Sequence, residues 1–516
     1  MTDNRAIAAT TYGQIEGTFE NEMYVFKGIP YAAPSVGDLR WLPPQPPQKW
    51  DGILPAKQYG CISPQNMMMM GAAIPGMPDF SVEKQNEGCL YMNIWTPGLD
   101  DAKRPVIFWI HGGAFIIGAG NEPFLETGAL VKRGNIVLVS INYRMGAFGF
   151  MNLKEITGGK IPATGNEGLL DQIAALDWVK ENIAAFGGNP DNITAAGFSA
   201  GSMSIADLLG MPRAHGRFHK TINRSGSFNT VGPLKAAVDI SEKFLKIVNI
   251  SPKDTDALRN LTTKQLLDAQ EKLGAVMREA KGALTPFMPV IDGDVMPDFP
   301  INNIKKGSAK NVIVMAGNTL DELKLSTTMD PATRNLDEAG LLNRLKTLVP
   351  PNMASGLLET YRAALKQRGS VGTPPDILGT ISSDLMFRIP TLRLVEAQRD
   401  NGMPAFNYYF TYKSPAMGGV LGAMHGLDNP FMFGALDKDF TGDGMSQREI
   451  SLKMQDSCIA FVHTGNPSNK TGGEWPVYGK DRQTMVWDVN PRVEKAPYEA
   501  ERKAWDGFDF SNTQPL

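Results

Sequence analysis

The sequence predicts an α/β protein with a large, mostly parallel central sheet flanked by helices. Continuous apolar runs such as "PVIFWIHGG" are typical of strands that are buried on both faces of a sheet. Such runs alternate with stretches that have helical spacing, and this alternation favours a doubly wound parallel sheet. The runs predicted as strands cover residues 105–113, 135–144, 192–197, 311–318, 405–412 and 484–489.

The predicted helices lie between these strands. Apolar residues recur at helical spacing over 166–186, and "GGNPD" ends that helix. Further helices are predicted over 200–210 and 449–464, and residues 233–380 are rich in helix-like patterns. Because the chain has no internal repeat and no sharp change in composition, residues 1–516 are predicted to form one domain, with 233–380 as an inserted helical cap.

Composition limits the classes of function. Of the 516 residues, 42% are hydrophobic and 20% are charged, as in globular proteins with a sizeable core. Lys and Arg total 51 against 54 Asp and Glu, so no basic surface for nucleic acid is indicated. No run approaches the length of a membrane span, and no secretory signal is recognised, so we expect a cytoplasmic location. Free thiols are expected for the three cysteines, although Cys61 and Cys89 could pair under oxidising conditions.

Ser199 is the first candidate for chemistry. The pentapeptide "GFSAG" matches G-x-S-x-G, a strained turn between a strand and a helix that exposes a nucleophilic serine. The glycines on either side are needed because neighbouring chain segments crowd this turn. An ordinary turn serine is the alternative, and the predicted strand before Ser199 and helix after it favour the nucleophile.

A nucleophilic serine needs donors for the oxyanion that forms on the substrate. "HGGAF" follows the strand that begins at Pro105, at the same edge of the sheet as Ser199. The candidate donors are the backbone N–H groups of Gly113, Ala114 and Ala200. By itself "HGGAF" could be a simple glycine turn, but its pairing with G-x-S-x-G favours an oxyanion hole.

The base is chosen from five histidines by position. His111 precedes the serine, His215 and His219 follow it too closely, and His463 lies near the end of a predicted helix. His425, in a glycine-flanked loop after the strand 405–412, remains as the best candidate, since α/β-hydrolases have the order serine, acid, histidine. The acid should follow a strand between Ser199 and His425. Asp321 and Glu322 both do so, and spacing alone does not choose between them.

These motifs together resemble those of the carboxylesterase/lipase type-B family, in particular its bacterial p-nitrobenzyl esterases. "NEGCLYMNIWTP", "INYRMGAFGF", "FGGNPDNITAAGFSAG" and "HTGNP" carry the resemblance along nearly the whole chain. The resemblance implies an α/β-hydrolase fold and a serine esterase that needs no metal or organic cofactor. The acid pattern of the family, G-x-x-x-D-E, falls on Gly317 to Glu322 and selects Glu322, while its histidine motif falls on His425. Ser225 matches a serine that supports the acid and the base.

The resemblance also bears on the substrate. The family usually has Glu where this chain has Phe198, and choline-binding relatives have a tryptophan in the loop that corresponds to 61–80. Here that loop contains consecutive methionines, including Met69 and Met70, which adapt to varied apolar ligands. Phe198, Met69 and Met70 are therefore predicted to line a pocket for neutral, apolar small-molecule esters, unless they only pack in the core or at the surface.

Other functions stay open from the sequence. A specialised carbamate, amide or bulky-ester hydrolase would use the same motifs, and a catalytically silent binding protein would share the fold. The silent protein is disfavoured because all three triad positions are filled. We expect a monomer or a small homo-oligomer.

Overall fold

A computed structural model describes residues 6–66, 83–281 and 285–510. All six strands predicted from apolar runs are present, with bounds that differ by a few residues. The strands are β1 Ile7–Thr10, β2 Gly13–Glu16, β3 Thr18–Glu20, β4 Met23–Pro30, β5 Ile53–Pro55, β6 Tyr91–Thr96, β7 Arg104–Ile110, β8 Val137–Ile141, β9 Gly188–Phe198, β10 Lys220–Arg224, β11 Gly232–Pro233, β12 Val290–Ile291, β13 Ile313–Thr319, β14 Ala405–Phe410, β15 Gln483–Trp487 and β16 Arg492–Lys495.

The helices alternate with the strands, and a π-helical turn at Asp384–Arg388 connects α13 to α14. The helices are α1 Ala129–Gly134, α2 Gly146–Gly149, α3 Glu167–Asn182, α4 Ala200–Gly210, α5 Leu234–Val248, α6 Thr255–Arg259, α7 Thr263–Lys281, α8 Pro300–Lys305, α9 Lys324–Met329, α10 Pro331–Arg334, α11 Glu338–Leu348, α12 Pro351–Gln367, α13 Pro374–Ser383, α14 Ile389–Asp400, α15 Asp428–Phe433, α16 Met445–Thr464 and α17 Glu499–Lys503.

The main sheet of the described residues has 11 strands in the order β16-β15-β14-β13-β10-β9-β7-β8-β6-β4-β3. Neighbours from β15 through to β8 are parallel, and the pairs at both edges are antiparallel. The predicted large, mostly parallel sheet flanked by helices is therefore confirmed. Strands β1, β2 and β5 form a separate small sheet.

The central strands are apolar throughout because both faces of the sheet are covered. Along β7, Phe108 faces the core that also contains residues of α3 and α4. Its neighbours Ile107 and Trp109 face a second core that contains residues of α15 and α16. This explains why the strand reads as a continuous apolar run rather than an alternating one.

The helical material within 233–380 forms two groups, α5–α8 and α9–α13, that lie on either side of β13 in the sequence. Strand β13 pairs with β10 and β14 inside the main sheet, so 233–380 is not one uninterrupted cap. The apolar run at 311–318 predicts this strand, and its place in the sheet divides the helical insertion. None of the helices among the described residues is long and apolar enough to cross a membrane.

Candidate active site

Ser199 lies at the turn between β9 and α4, at the carboxyl end of the parallel sheet. Its backbone has φ 54° and ψ −125°, a conformation that costs a non-glycine residue about 1–3 kcal/mol. The turn is held by the backbone N–H of Ser199, which donates to the carbonyl oxygen of Arg224 at 2.9 Å. The side chain of Ser199 is therefore fixed above the sheet at the start of α4.

The two glycines around Ser199 are required by close packing. A Cβ added at Gly197 would lie 2.7 Å from the carbonyl carbon of Gly201. One added at Gly201 would lie 2.0 Å from the carbonyl oxygen of Ile110, the last residue of β7. Both distances are shorter than any real Cβ contact, so the crowding expected from the G-x-S-x-G pattern is present.

The structure brings His425 and Glu322 to Ser199. The Nε2 atom of His425 lies 2.9 Å from Ser199 Oγ, and its Nδ1 atom lies 2.5 Å from Glu322 Oε2. The Glu322 side chain is 1% exposed and the imidazole 25% exposed, so the buried carboxylate orients a ring that still reaches solvent. Serine, histidine and carboxylate thus form a continuous hydrogen-bonded chain.

Adjacent carboxylates in the loop after β13 have different partners. Glu322 Oε1 accepts from the backbone N–H of Thr319 at 2.8 Å, which leaves Oε2 for the imidazole. The Asp321 carboxylate instead accepts from the backbone N–H of Ala423 at 2.9 Å, and burial raises its pKa. Asp321 therefore ties its loop to the loop of His425, whereas Glu322 contacts the histidine itself.

Three backbone N–H groups are available near Ser199. Those of Gly113, Ala114 and Ala200 have no hydrogen-bond acceptor among the residues that the structure describes. Gly113 and Ala114 have φ values of 112° and 52°, in the region that favours glycine. A Cβ added to the preceding Gly112 would lie 3.0 Å from the Cβ of Ser199, so this loop passes directly beside the serine.

Comparison with known proteins decides the family. The model of the carboxylesterase family matches residues 4–505. The chain belongs to the carboxylesterase family. Para-nitrobenzyl esterase of Bacillus subtilis (strain 168) is 36% identical over 507 residues, which cover 96% of this chain and 98% of the relative. Phenmedipham hydrolase of Pseudarthrobacter oxydans is 34% identical, with 93% and 94% covered. This carboxylesterase is a carboxylic ester hydrolase.

Solved structures agree with this assignment. The carboxylesterase of Geobacillus stearothermophilus has a TM-score of 0.86 at 35% identity, and the match covers 97% of this chain and all of that structure. A solved structure of PNB esterase has a TM-score of 0.83 at 34% identity, and the match covers 96% of this chain and 99% of that structure. The fold is therefore that of the α/β-hydrolases.

The other histidines of this carboxylesterase lie apart from the hydrogen-bonded chain. His111 is fully buried against the Tyr143 ring, and burial lowers its pKa to about 4. His463 is exposed in the last turn of α16, where Nε2 contacts the carbonyl oxygen of Gly134, and His215 is exposed in a turn. Among the described residues, His425 is the histidine that contacts both Ser199 and Glu322.

Ser225 lies at the end of β10, and its support of the acid and the base stays a prediction. Its Oγ is buried but has no hydrogen-bond partner within the described ranges, so it bonds neither the acid nor the base there. A φ of 48° at Ser225 turns the chain at the end of β10. Its N–H donates to the carbonyl oxygen of Gly317 at 2.8 Å, so Ser225 connects β10 to β13 through the main chain.

Two phenylalanine rings contact the imidazole of the carboxylesterase. The ring centroid of Phe198 lies 4.5 Å from that of His425, and the ring centroid of Phe387 lies 4.9 Å from it. Phe198 is half-buried and its ring faces the histidine. Phe387 was missed because it lies in a π-helical turn far from every motif. Met69 and Met70 lie outside the described residues.

Proposed function

We propose that this carboxylesterase hydrolyses neutral, apolar small-molecule esters through an acyl-serine intermediate. The observation that carries the proposal is the continuous chain of hydrogen bonds from Ser199 Oγ through His425 to Glu322. A serine hydroxyl is a weak nucleophile until an oriented base removes its proton, and this arrangement supplies such a base.

In the proposed acylation step, Ser199 Oγ attacks the ester carbonyl carbon while His425 Nε2 takes the hydroxyl proton. The tetrahedral intermediate then breaks its bond to the alcohol oxygen, which receives that proton from the imidazolium. Glu322 holds the ring in the required tautomer and stabilises its positive charge. Water, deprotonated by His425, then hydrolyses the acyl-serine and restores Ser199.

The oxyanion of each intermediate would be bound by the N–H groups of Gly113, Ala114 and Ala200. Two observations support these donors. The three N–H groups have no other acceptor within the described parts of the chain, and the loop that contains Gly113 and Ala114 passes beside Ser199. Loss of one such donor typically costs about 10²- to 10³-fold in rate.

The preference for neutral, apolar esters rests on the two phenyl rings beside the imidazole. Phe198 takes the place of a carboxylate that would attract a cation, and Phe387 adds a second apolar wall. The relative named para-nitrobenzyl esterase is compatible with this preference. An acetylcholinesterase of Bungarus fasciatus is also related, at 29% identity, so a choline ester is the informative comparison.

The test compares Ser199→Ala with the parent enzyme on p-nitrophenyl butyrate and butyrylthiocholine. We expect the parent to favour the neutral ester in kcat/KM and Ser199→Ala to lose turnover of both esters, with an unchanged circular dichroism spectrum. Ser370→Ala, which alters an exposed serine, is the matched control. Turnover in Ser199→Ala would refute the nucleophile, whereas a preference for the cationic ester would refute only the substrate class.

Several expectations from the sequence stay predictions. We propose one domain over 1–516, in which the two helical groups of 233–380 cover the site, and we expect a single cooperative unfolding transition. A monomer or small homo-oligomer, a cytoplasmic location and the lack of a nucleic-acid partner are proposed on the same footing. Sedimentation velocity would measure the oligomeric state directly.

A further inference from the structure

The imidazole of His425 has an unusual set of neighbours beyond the triad. The Phe198 ring lies against it with an interplanar angle of 40°, and the Phe387 ring does so at 45°. Among the described residues the two phenyl rings make no aromatic contact with each other. Each ring therefore contacts the imidazole independently.

The position of Phe198 is fixed by two glycines. A Cβ added at Gly426 would lie 2.8 Å from the ring atom Cζ of Phe198, and one added at Gly112 would lie 3.0 Å from Cδ1. The ring thus fills the space between the oxyanion loop and the loop of His425. Because the two glycines leave room for a whole phenyl ring, the contact with the imidazole is built into the surrounding backbone.

The position of Phe387 is fixed by a buried polar network around the π-helical turn. Arg388 Nε donates to Asp384 Oδ1 at 2.6 Å, which closes the turn on either side of Phe387. The Tyr361 hydroxyl donates to the same carboxylate, and Trp505 Nε1 donates to the Tyr361 oxygen at 2.7 Å. A π-helical turn is often found at functional sites, and here it presents Phe387 to the histidine.

The charged groups on the elements around the imidazole, apart from Glu322, are bonded elsewhere. Asp384 and Arg388 pair with each other on the π-helical turn. Asp428, three residues after His425, pairs with Arg224 at 2.7 Å and accepts from the Tyr408 hydroxyl at 2.8 Å.

In the loop of Glu322, Asp321 accepts from the backbone N–H of Ala423. On the serine side, Ser199 and Phe198 present a hydroxyl and a ring. The imidazole therefore meets one carboxylate, one hydroxyl and two phenyl rings.

An aromatic ring attracts a cation that lies over its face and within about 6 Å of its centroid, because the face of the ring is electronegative. The imidazole centroid lies within this distance of both phenyl rings. In the proposed mechanism His425 becomes a cation in each transition state and is neutral before and after. We propose that Phe198 and Phe387 are positioning residues that hold the imidazole and stabilise its cationic form through their ring faces. This inference rests on the proposed function. A carboxylate at position 198 would stabilise the imidazolium by its negative charge, and here the ring faces supply part of that stabilisation.

The test alters the electrostatics of the ring while keeping a six-membered ring at the position. Phe198 or Phe387 is replaced site-specifically by 3,4,5-trifluorophenylalanine or cyclohexylalanine, which weaken or remove the electronegative face. We expect kcat on p-nitrophenyl butyrate to fall about two- to thirty-fold at each position. The cyclohexylalanine variant should have a lower kcat than the trifluorophenylalanine variant. The acid-side midpoint of the kcat/KM profile should move to lower pH, because a less stable imidazolium forms only at higher proton concentration.

Phe406 is the matched control. It is buried against Phe461 and Trp475, away from the imidazole, so the same replacements there should leave kcat and the midpoint unchanged. An unchanged rate and midpoint in the Phe198 and Phe387 variants would overturn the proposal, as would equal losses at Phe406. Failure of the catalytic scheme itself would appear separately, as turnover by Ser199→Ala.

Discussion

Gly201→Ala introduces one methyl group at the most crowded point of the serine turn. The added Cβ would lie 2.0 Å from the carbonyl oxygen of Ile110, and ordinary contact begins at about 3.4 Å. The first turn of α4 must therefore move by about 1.4 Å from the end of β7, and Ser199 moves with it. Misplacement by about 1 Å can cost 10²-fold in rate, and overpacking typically costs about 1–3 kcal/mol of stability.

We expect Gly201→Ala to lower kcat/KM on p-nitrophenyl butyrate about 10²-fold and the free energy of unfolding in urea by about 1–3 kcal/mol. The control is Gly356→Ala in α12, where no atom lies within 4 Å of an added Cβ. This variant should keep its activity and gain about 0.5–1 kcal/mol, because alanine favours a helix. Parental kcat/KM in Gly201→Ala would refute the packing argument.

Three further predictions concern single carboxylates and one ring. Asp207 is fully buried and burial raises its pKa well above the ordinary value, while its oxygens have no hydrogen-bond partner in the described chain. As pH rises above about 4, the Asp207 carboxyl ionises in the unfolded state but stays protonated in the folded state. The free energy of unfolding should therefore fall by up to about 1.4 kcal/mol per pH unit until the folded-state pKa is reached. Asp207→Asn should remove this slope, as measured by urea unfolding between pH 4 and 8. Glu322→Gln should lower kcat about 10⁴-fold by favouring the wrong tautomer of His425, whereas Asp321→Asn should cost less; a larger loss at Asp321 would reverse their roles. Phe198→Glu should lower kcat/KM for neutral apolar esters or alter its pH profile, and no change in either would make Phe198 a packing residue only.

The parts of the fold that were predicted are those with strong local signals. Strand β7 is a continuous apolar run because both faces of the sheet are covered, and α4 has the predicted bounds of 200–210 because the glycines of the serine turn mark its start. The sequence does not predict that β13 divides the helical insertion. An apolar run identifies a strand, but its pairing with β10 and β14 depends on contacts distant in sequence.

In the candidate site, too, the residues with local motifs are predictable and those that depend on distant contacts are not. Ser199 and the glycine loop have local motifs, whereas spacing left Asp321 and Glu322 equivalent. The choice depends on which carboxylate reaches His425, a contact between residues 103 positions apart in the chain. No sequence pattern indicates Phe387, because a π-helical turn has no recognisable sequence period. The supporting role of Ser225 stays a prediction: its N–H donates to the carbonyl oxygen of Gly317, and its Oγ has no hydrogen-bond partner within the described ranges.

The central claim is that Ser199 carries the acyl group between two steps of ester hydrolysis. The most direct measurement is acid quench of the enzyme within milliseconds of mixing with p-nitrophenyl butyrate, followed by peptide mapping by mass spectrometry. The account predicts one butyryl group per chain on the peptide that contains Ser199, and none in Ser199→Ala. An acyl group on another residue, or steady turnover with Ser199 unmodified at every time point, would contradict it.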